Sequence, residues 1–118
     1  MPRKTAERFL PLKSNWFQIL VSLAGSEQHG YGIMQEVLRQ SGGRYNLGPG
    51  TLYDNLQRLM KQRMVEEVAG PREEQSSRRR YYRLSTLGRG VLSQEIARLE
   101  DVVQEGRIRL RSLNPRRA

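Results

Sequence analysis

From Thr86 to about Leu113 the sequence contains no proline, and Leu92, Ile96, Leu99 and Val103 step along it by four, three and four residues. That is the spacing of a coiled-coil seam. Gly106 falls at the next seam position and Leu110 at the one after. A helix of about 28 residues reaches about 42 Å at 1.5 Å per residue. The whole chain has 118 residues, 36% of them hydrophobic, which suffices for one modest core. A helix so long leaves part of its apolar edge with nothing of its own to cover. Leu92, Ile96, Leu99, Val103 and Leu110 are therefore expected to pair two copies of the chain as a homodimer.

What precedes that helix is shorter and more broken. Trp16, Ile19, Leu20 and Leu23 recur at helical spacing between about Lys13 and Ala24, with Ser14 placed to cap the start and Gly25 to end it. His29-Gly30 opens a second helix, where His29 is expected to cap or orient the start. Ile33, Met34, Val37 and Leu38 form its stripe, and Ser41-Gly42-Gly43 stops it. After a short connection, Pro49 suits the first turn of a third helix running to about Gln62. Leu52, Leu56 and Leu59 line one of its faces; Gly50, Thr51, Asp54, Gln57, Arg58 and Lys61 fall on the other. Met64–Ala69 and Arg79–Ser85 read as strands of an extended hairpin joined by the polar loop Gly70–Ser77. Alternation puts Tyr82 and Leu84 on one face of the second strand, Tyr81 and Arg83 on the other.

Three helices and a hairpin, then one long helix, make a mainly α fold with a small β-hairpin: a winged helix-turn-helix with a long C-terminal dimerisation helix. The expected organisation is a flexible basic arm over residues 1–11, a winged helix-turn-helix DNA-binding domain over 12–85, the dimerisation helix over 86–113 and a flexible tail over 114–118.

Several chemistries are disfavoured. Cysteine is absent and His29 is the single histidine, so no metal site and no cofactor is expected. No carboxylate pair, nucleophile–base set or phosphate-binding glycine loop is visible, and the chain is not expected to be an enzyme. No apolar run approaches the roughly 20 residues that span a bilayer. No signal-peptide core follows the start, so a cytoplasmic location without membrane association is expected. The net charge of +9 favours a polyanionic partner. The basic excess is spread along the chain, so charge alone does not single out DNA.

The third helix, set between a capped second helix and a basic hairpin, points to DNA, although taken alone its polar side reads equally well as a solvated outer face. In a winged helix-turn-helix its exposed side enters the major groove while the other face anchors to the core. Gln57 can pair bidentately with adenine and Arg58 with guanine, and Thr51 can meet a base edge, a phosphate or a thymine methyl. Lys61 suits a phosphate. Asp54, which phosphates would repel, is placed to hold Arg58 at i+4. Arg78-Arg79-Arg80 at the wing base would clamp phosphates, giving affinity and salt dependence but little sequence information. The blander alternative is a solubilising cluster neutralised by Glu73 and Glu74. Double-stranded DNA is thus the expected partner. Two other classes compete: a small-molecule sensor that uses the dimer interface without regulating DNA, and an RNA-associated basic protein.

Three segments carry a family resemblance: His29-Gly30-Tyr31-Gly32-Ile33; Gly50-Thr51-Leu52-Tyr53 with Leu56, Arg58 and Leu59; and Arg79-Arg80-Tyr81-Tyr82-Arg83-Leu84-Ser85 with Gly88. In that order and spacing, over about Leu12 to Leu113, the chain resembles the PadR family of bacterial transcriptional regulators, in its short form with one C-terminal helix. The resemblance implies a dimer that represses from a palindromic operator. It also implies that Thr51 and Tyr53 lie at the DNA surface, and that the segment from Tyr31 forms the first half of the helix-turn-helix. Members of the short form include regulators whose dimer interface holds flat aromatic ligands. Trp16 and Leu99 are on that basis the candidate walls of a pocket for a small aromatic effector; a core or interface place for Trp16 is the plainer reading. Two positions depart from the family. Arg63 stands where glycine is common, and the C-terminal helix has no aromatic residue for stacking a ligand.

Overall fold

A computed structural model describes residues 3–71 and 79–113. Arg78, Glu73, Glu74 and the tail 114–118 lie outside the described residues. The elements in chain order are α1 (Arg3–Glu7), α2 (Ser14–Ser22), β1 (Gln28–His29), α3 (Gly30–Gln40), α4 (Pro49–Lys61), β2 (Val65–Val68), β3 (Tyr81–Leu84) and α5 (Thr86–Ser112). Helices α2, α3 and α4 close around Ile19, Leu20, Ile33, Val37, Leu52, Leu56 and Leu59, all buried. This is the winged helix-turn-helix arrangement with a long C-terminal helix.

The wing is a three-stranded antiparallel sheet in the order β1-β3-β2. Val65 faces Leu84 and Val68 faces Tyr81 across the hairpin, while Gln28 and His29 pair with Tyr82 and Tyr81 on the other side of β3. Strand β1 was not expected, since two residues carry no periodic signal. It changes the reading of Tyr81, which is buried rather than turned to an open face. The His29 ring packs edge-on to it at 5.3 Å, and Gly70 lies so close that a Cβ there would sit 2.4 Å from the Tyr81 ring.

The expected flexible arm is also corrected in its middle. Residues Arg3–Glu7 form a helix seated on α5. Ala6 is 1% exposed and belongs to the core. Further along, the Leu12 N–H donates to Glu95 Oε2 at 2.8 Å. Glu95 is buried on α5 and pairs with Arg98 at 2.5 Å. The Arg98 guanidinium and the Leu12 amide hold the Glu95 carboxyl below the usual carboxylate range, against the opposing effect of burial. The N-terminal segment is thus fastened by an apolar contact and a charge-assisted hydrogen bond. At α2 the cap position is Lys13 and no side chain caps the helix, so Ser14 is its first residue; the helix stops at Ser22, before Gly25.

Helices α3 and α4 end in the same way with different residues. After α3, the Gly42 N–H donates to Arg39 O and the Gly43 N–H to Leu38 O. After α4, the Arg63 N–H donates to Met60 O and the Met64 N–H to Leu59 O, both at 2.9 Å. Both are Schellman closures, which need a left-handed residue just past the cap. Gly42 supplies it at φ 64°, a conformation glycine adopts freely; Arg63 supplies it at the same φ of 64°. A side chain there costs on the order of 1 kcal/mol. Arg63→Gly is therefore expected to raise unfolding free energy by up to about 1 kcal/mol, the gain trimmed by glycine's extra freedom when unfolded. Urea unfolding checks it; a lower midpoint at equal slope would contradict the strain.

Helix α5 divides into two halves. Val91, Leu92 and Glu95 are buried against the winged domain. Leu92, counted in the dimer seam from its spacing, is 4% exposed and belongs to the core of its own chain. From Asp101 onward every described residue is exposed in the single chain. Val103 is 51% and Leu110 68% exposed; Ile96 is less so, and Leu99 is half-buried. Val102 and Ile108, which the seam pattern omits, are exposed as well.

Candidate nucleic-acid interface

Helix α4 begins without a side-chain cap: Gly48 is extended and Pro49 opens the first turn. Leu52, Leu56 and Leu59 are fully buried, which fixes the opposite side outward. Gly50, Thr51, Tyr53, Asp54, Gln57, Arg58 and Lys61 are all exposed. Arg58 Nε lies 3.3 Å from Asp54 Oδ2, both side chains about three-fifths exposed. The acid on this face is thus partnered within its own helix, as its spacing suggested.

The start of α3 forms the neighbouring wall. His29 is its cap, with Nδ1 accepting from the Gly32 N–H at 3.0 Å. A local hydrogen bond of this kind satisfies one of the amides a helix start leaves open. Tyr31 projects outward, its ring parallel to that of His29 with centroids 6.5 Å apart. Tyr53 of α4 leans onto Gly30, where a Cβ would come within 2.2 Å of the Tyr53 hydroxyl. A side chain at position 30 would displace the ring from this place.

The wing base completes the surface. Arg79 and Arg80 are exposed. An Arg79 guanidinium nitrogen lies 3.2 Å from His29 Nε2. Arg80 Nε lies 3.9 Å from Glu67 on β2, and Arg83 reaches Glu66 at 3.5 Å. The carboxylates described beside these arginines are therefore on β2. Both contacts are long and solvent-exposed, so either arginine can leave its partner at little cost. His29, Gly30, Tyr31, Tyr53, Arg79 and Arg80 together line one cleft of about 460 Å³. Sequence reasoning assigned His29 a capping role but missed its contact with Arg79, fifty residues away; strand pairing makes that contact, and no local pattern announces it.

Trp16 and Leu99 are not brought together. The Trp16 indole N–H donates to Asn55 Oδ1 on α4 at 3.0 Å. Leu99 instead shares with Phe17, the next residue of α2, an open groove of about 410 Å³ that also includes Ile96, Val103 and Arg107. Helical spacing placed both Trp16 and Phe17 on α2 but did not say which would turn towards α5. Among the described residues no group of three or more His, Asp or Glu could hold a metal ion, and no helix is long and apolar enough to cross a membrane.

Residues 19–94 match the model of the transcriptional regulator PadR-like family. The chain is 34% identical over 87 residues to the transcriptional regulator Rv3488 of Mycobacterium tuberculosis, covering 74% of this chain and 77% of that protein. Among solved structures, a PadR family transcription regulator from Clostridium difficile superposes with a TM-score of 0.67 at 20% identity, over 80% of this chain and 96% of that one. Bacillus subtilis PadR in complex with operator DNA superposes with a TM-score of 0.61 at 19% identity, over 73% of this chain and 48% of that one.

Proposed function

Because this chain belongs to the PadR-like family of transcriptional regulators, we propose that it binds duplex DNA as a homodimer and represses from a palindromic operator. The observation that carries this reading is the shared cleft. Residues from three separated segments, 29–31, 53 and 79–80, meet beside the exposed face of α4. Two of them are arginines, both exposed at the wing base. The similar B. subtilis protein was solved in complex with operator DNA, which supports duplex DNA as the partner.

In this reading two copies of α4 enter successive major grooves, related by the two-fold axis that makes the operator palindromic. Gln57 reads adenine and Arg58 guanine through paired hydrogen bonds, with Asp54 keeping the guanidinium in place. Thr51 meets a base edge or phosphate, and Lys61 a phosphate. Arg79 and Arg80 grip the backbone beside the groove, with Tyr31 and Tyr53 between wing and recognition helix; Arg78 extends the same run in sequence. Ile96, Leu99, Val103 and Leu110 supply the dimer contact. A small aromatic effector would enter the groove between Phe17 and Leu99 and release the DNA by shifting the angle between subunits.

Selection of duplexes from a random pool by the purified protein tests the reading directly. With the selected duplex in hand, Arg58→Ala is expected to lose about 1–3 kcal/mol of binding to it and little on random duplex, whereas Arg79→Ala flattens the salt dependence on both. Equal losses from Arg58→Ala on the two duplexes would remove its base-reading role. Failure to enrich any sequence would remove the whole assignment.

A further inference from the structure

Helix α4 is held at both margins of its exposed face, and each margin is held by a specific side-chain contact. At 100° per residue Asn55 lies about 40° from Thr51 on the outer face and about 40° from Leu59 in the core. It is half-buried at that boundary. Its Oδ1 accepts from the Trp16 indole N–H at 3.0 Å and its Nδ2 donates to the Thr51 carbonyl at 2.7 Å. Both ends of the amide are thus occupied within the protein. At the other margin Tyr53, about 40° from Gln57, is wedged against Gly30.

We infer that the Trp16–Asn55 hydrogen bond sets the roll of α4 about its own axis, making Trp16 and Asn55 positioning residues for base reading. The inference rests on the DNA-binding reading above. Core leucines fix which side of the helix faces outward, but apolar contact has no direction and defines the last small rotation less sharply. A hydrogen bond does have direction. A roll of about 20° moves a side-chain tip some 6 Å from the axis by about 2 Å. That displacement breaks a paired hydrogen bond from Gln57 or Arg58 to a base, yet a flexible arginine still reaches a phosphate after it. Losing the tie therefore costs discrimination and spares electrostatic attraction.

The test uses the full chain carrying Trp16→Phe, Asn55→Ala or both, a duplex selected by the unaltered protein, and a random duplex. Each single change is expected to lower the preference for the selected duplex about fivefold, with random-duplex affinity and dimer mass unchanged. The double change is expected to do no more than either single one, because both remove one bond. Amide hydrogen exchange without DNA gives a second reading: residues 50–61 should exchange faster in each variant while the start of α5 does not. Unchanged exchange in α4, fully additive losses, or equal losses on both duplexes would each overturn the inference. If the unaltered protein prefers no duplex, the DNA reading fails, and the exchange comparison still decides whether the tie holds α4.

Discussion

Gly88→Ala is expected to destabilise the protein by about 3 kcal/mol, the upper end of what forcing one extra carbon into a packed interior costs. Gly88 sits in the first turn of α5, where its N–H donates to Ser85 Oγ at 3.0 Å. The backbone of Met64 passes directly over it. A Cβ at position 88 would lie 2.0 Å from the Met64 carbonyl oxygen and 3.0 Å from its carbon. No rotamer relieves this, because the obstacle is main chain. That same carbonyl accepts the Ser85 N–H at 3.0 Å, and Ser85 Oγ donates to Arg63 O at 2.5 Å. Moving it aside would disturb the end of α4, the start of β2 and the cap of α5 together. Gly50→Ala is the matching control: nothing lies within 4 Å of a Cβ there, so the same change should leave stability equal or raise it by up to about 1 kcal/mol. Urea unfolding of both variants decides the matter. Equal midpoints for Gly88→Ala and the unaltered protein would mean that Met64 and α5 separate easily.

Which parts of this structure were legible beforehand follows from what periodicity reports. The leucines of α4 and the long run of α5 repeat over several turns, so the existence of both helices and the inner face of α4 could be read directly. Asp54 and Arg58 stand four apart on one helix, and their pairing needed no tertiary information. Helix α1 and strand β1 span five and two residues, too short for any period to show; tertiary contact alone makes them, through Ala6 on α5 and His29 against Tyr81. Spacing also counts apolar positions without saying what covers each. Leu92 continues the α5 seam in sequence but is consumed by the winged domain, and Trp16 points to α4 while its neighbour Phe17 lines the groove beside α5. The motif glycines were visible, but the reason for Gly88 was not, since the atom it makes room for lies 24 residues upstream.

Substituting Val103→Asp should convert the protein to a monomer and lower affinity for the selected duplex by a hundredfold or more. Beyond Glu100 the described part of α5 touches little of its own chain, and an isolated helix of about a dozen residues is marginal in water. Val102, Val103, Ile108 and Leu110 are nonetheless all half or more exposed there, or close to it. An apolar edge of this size on a folded chain marks an interaction surface. In the proposed dimer a second copy of α5 covers it, and a carboxylate at position 103 would have to be buried there without a cation, at a cost of several kcal/mol. Each half-site alone binds through one recognition helix and one wing. Linking two such units makes the second contact intramolecular, so separating them removes two or more orders of magnitude in affinity without touching a DNA-facing residue. Sedimentation at micromolar concentration should show the variant near 14 kDa, half the mass of the unaltered protein, the single chain being 13.7 kDa. Its helical circular dichroism should fall as the outer half of α5 frays, and the salt slope of its DNA binding should drop to about half as one set of phosphate contacts is lost. A variant that stays dimeric, or one that is monomeric yet binds the selected duplex as tightly as before, would show that α5 does not join the two DNA-reading units.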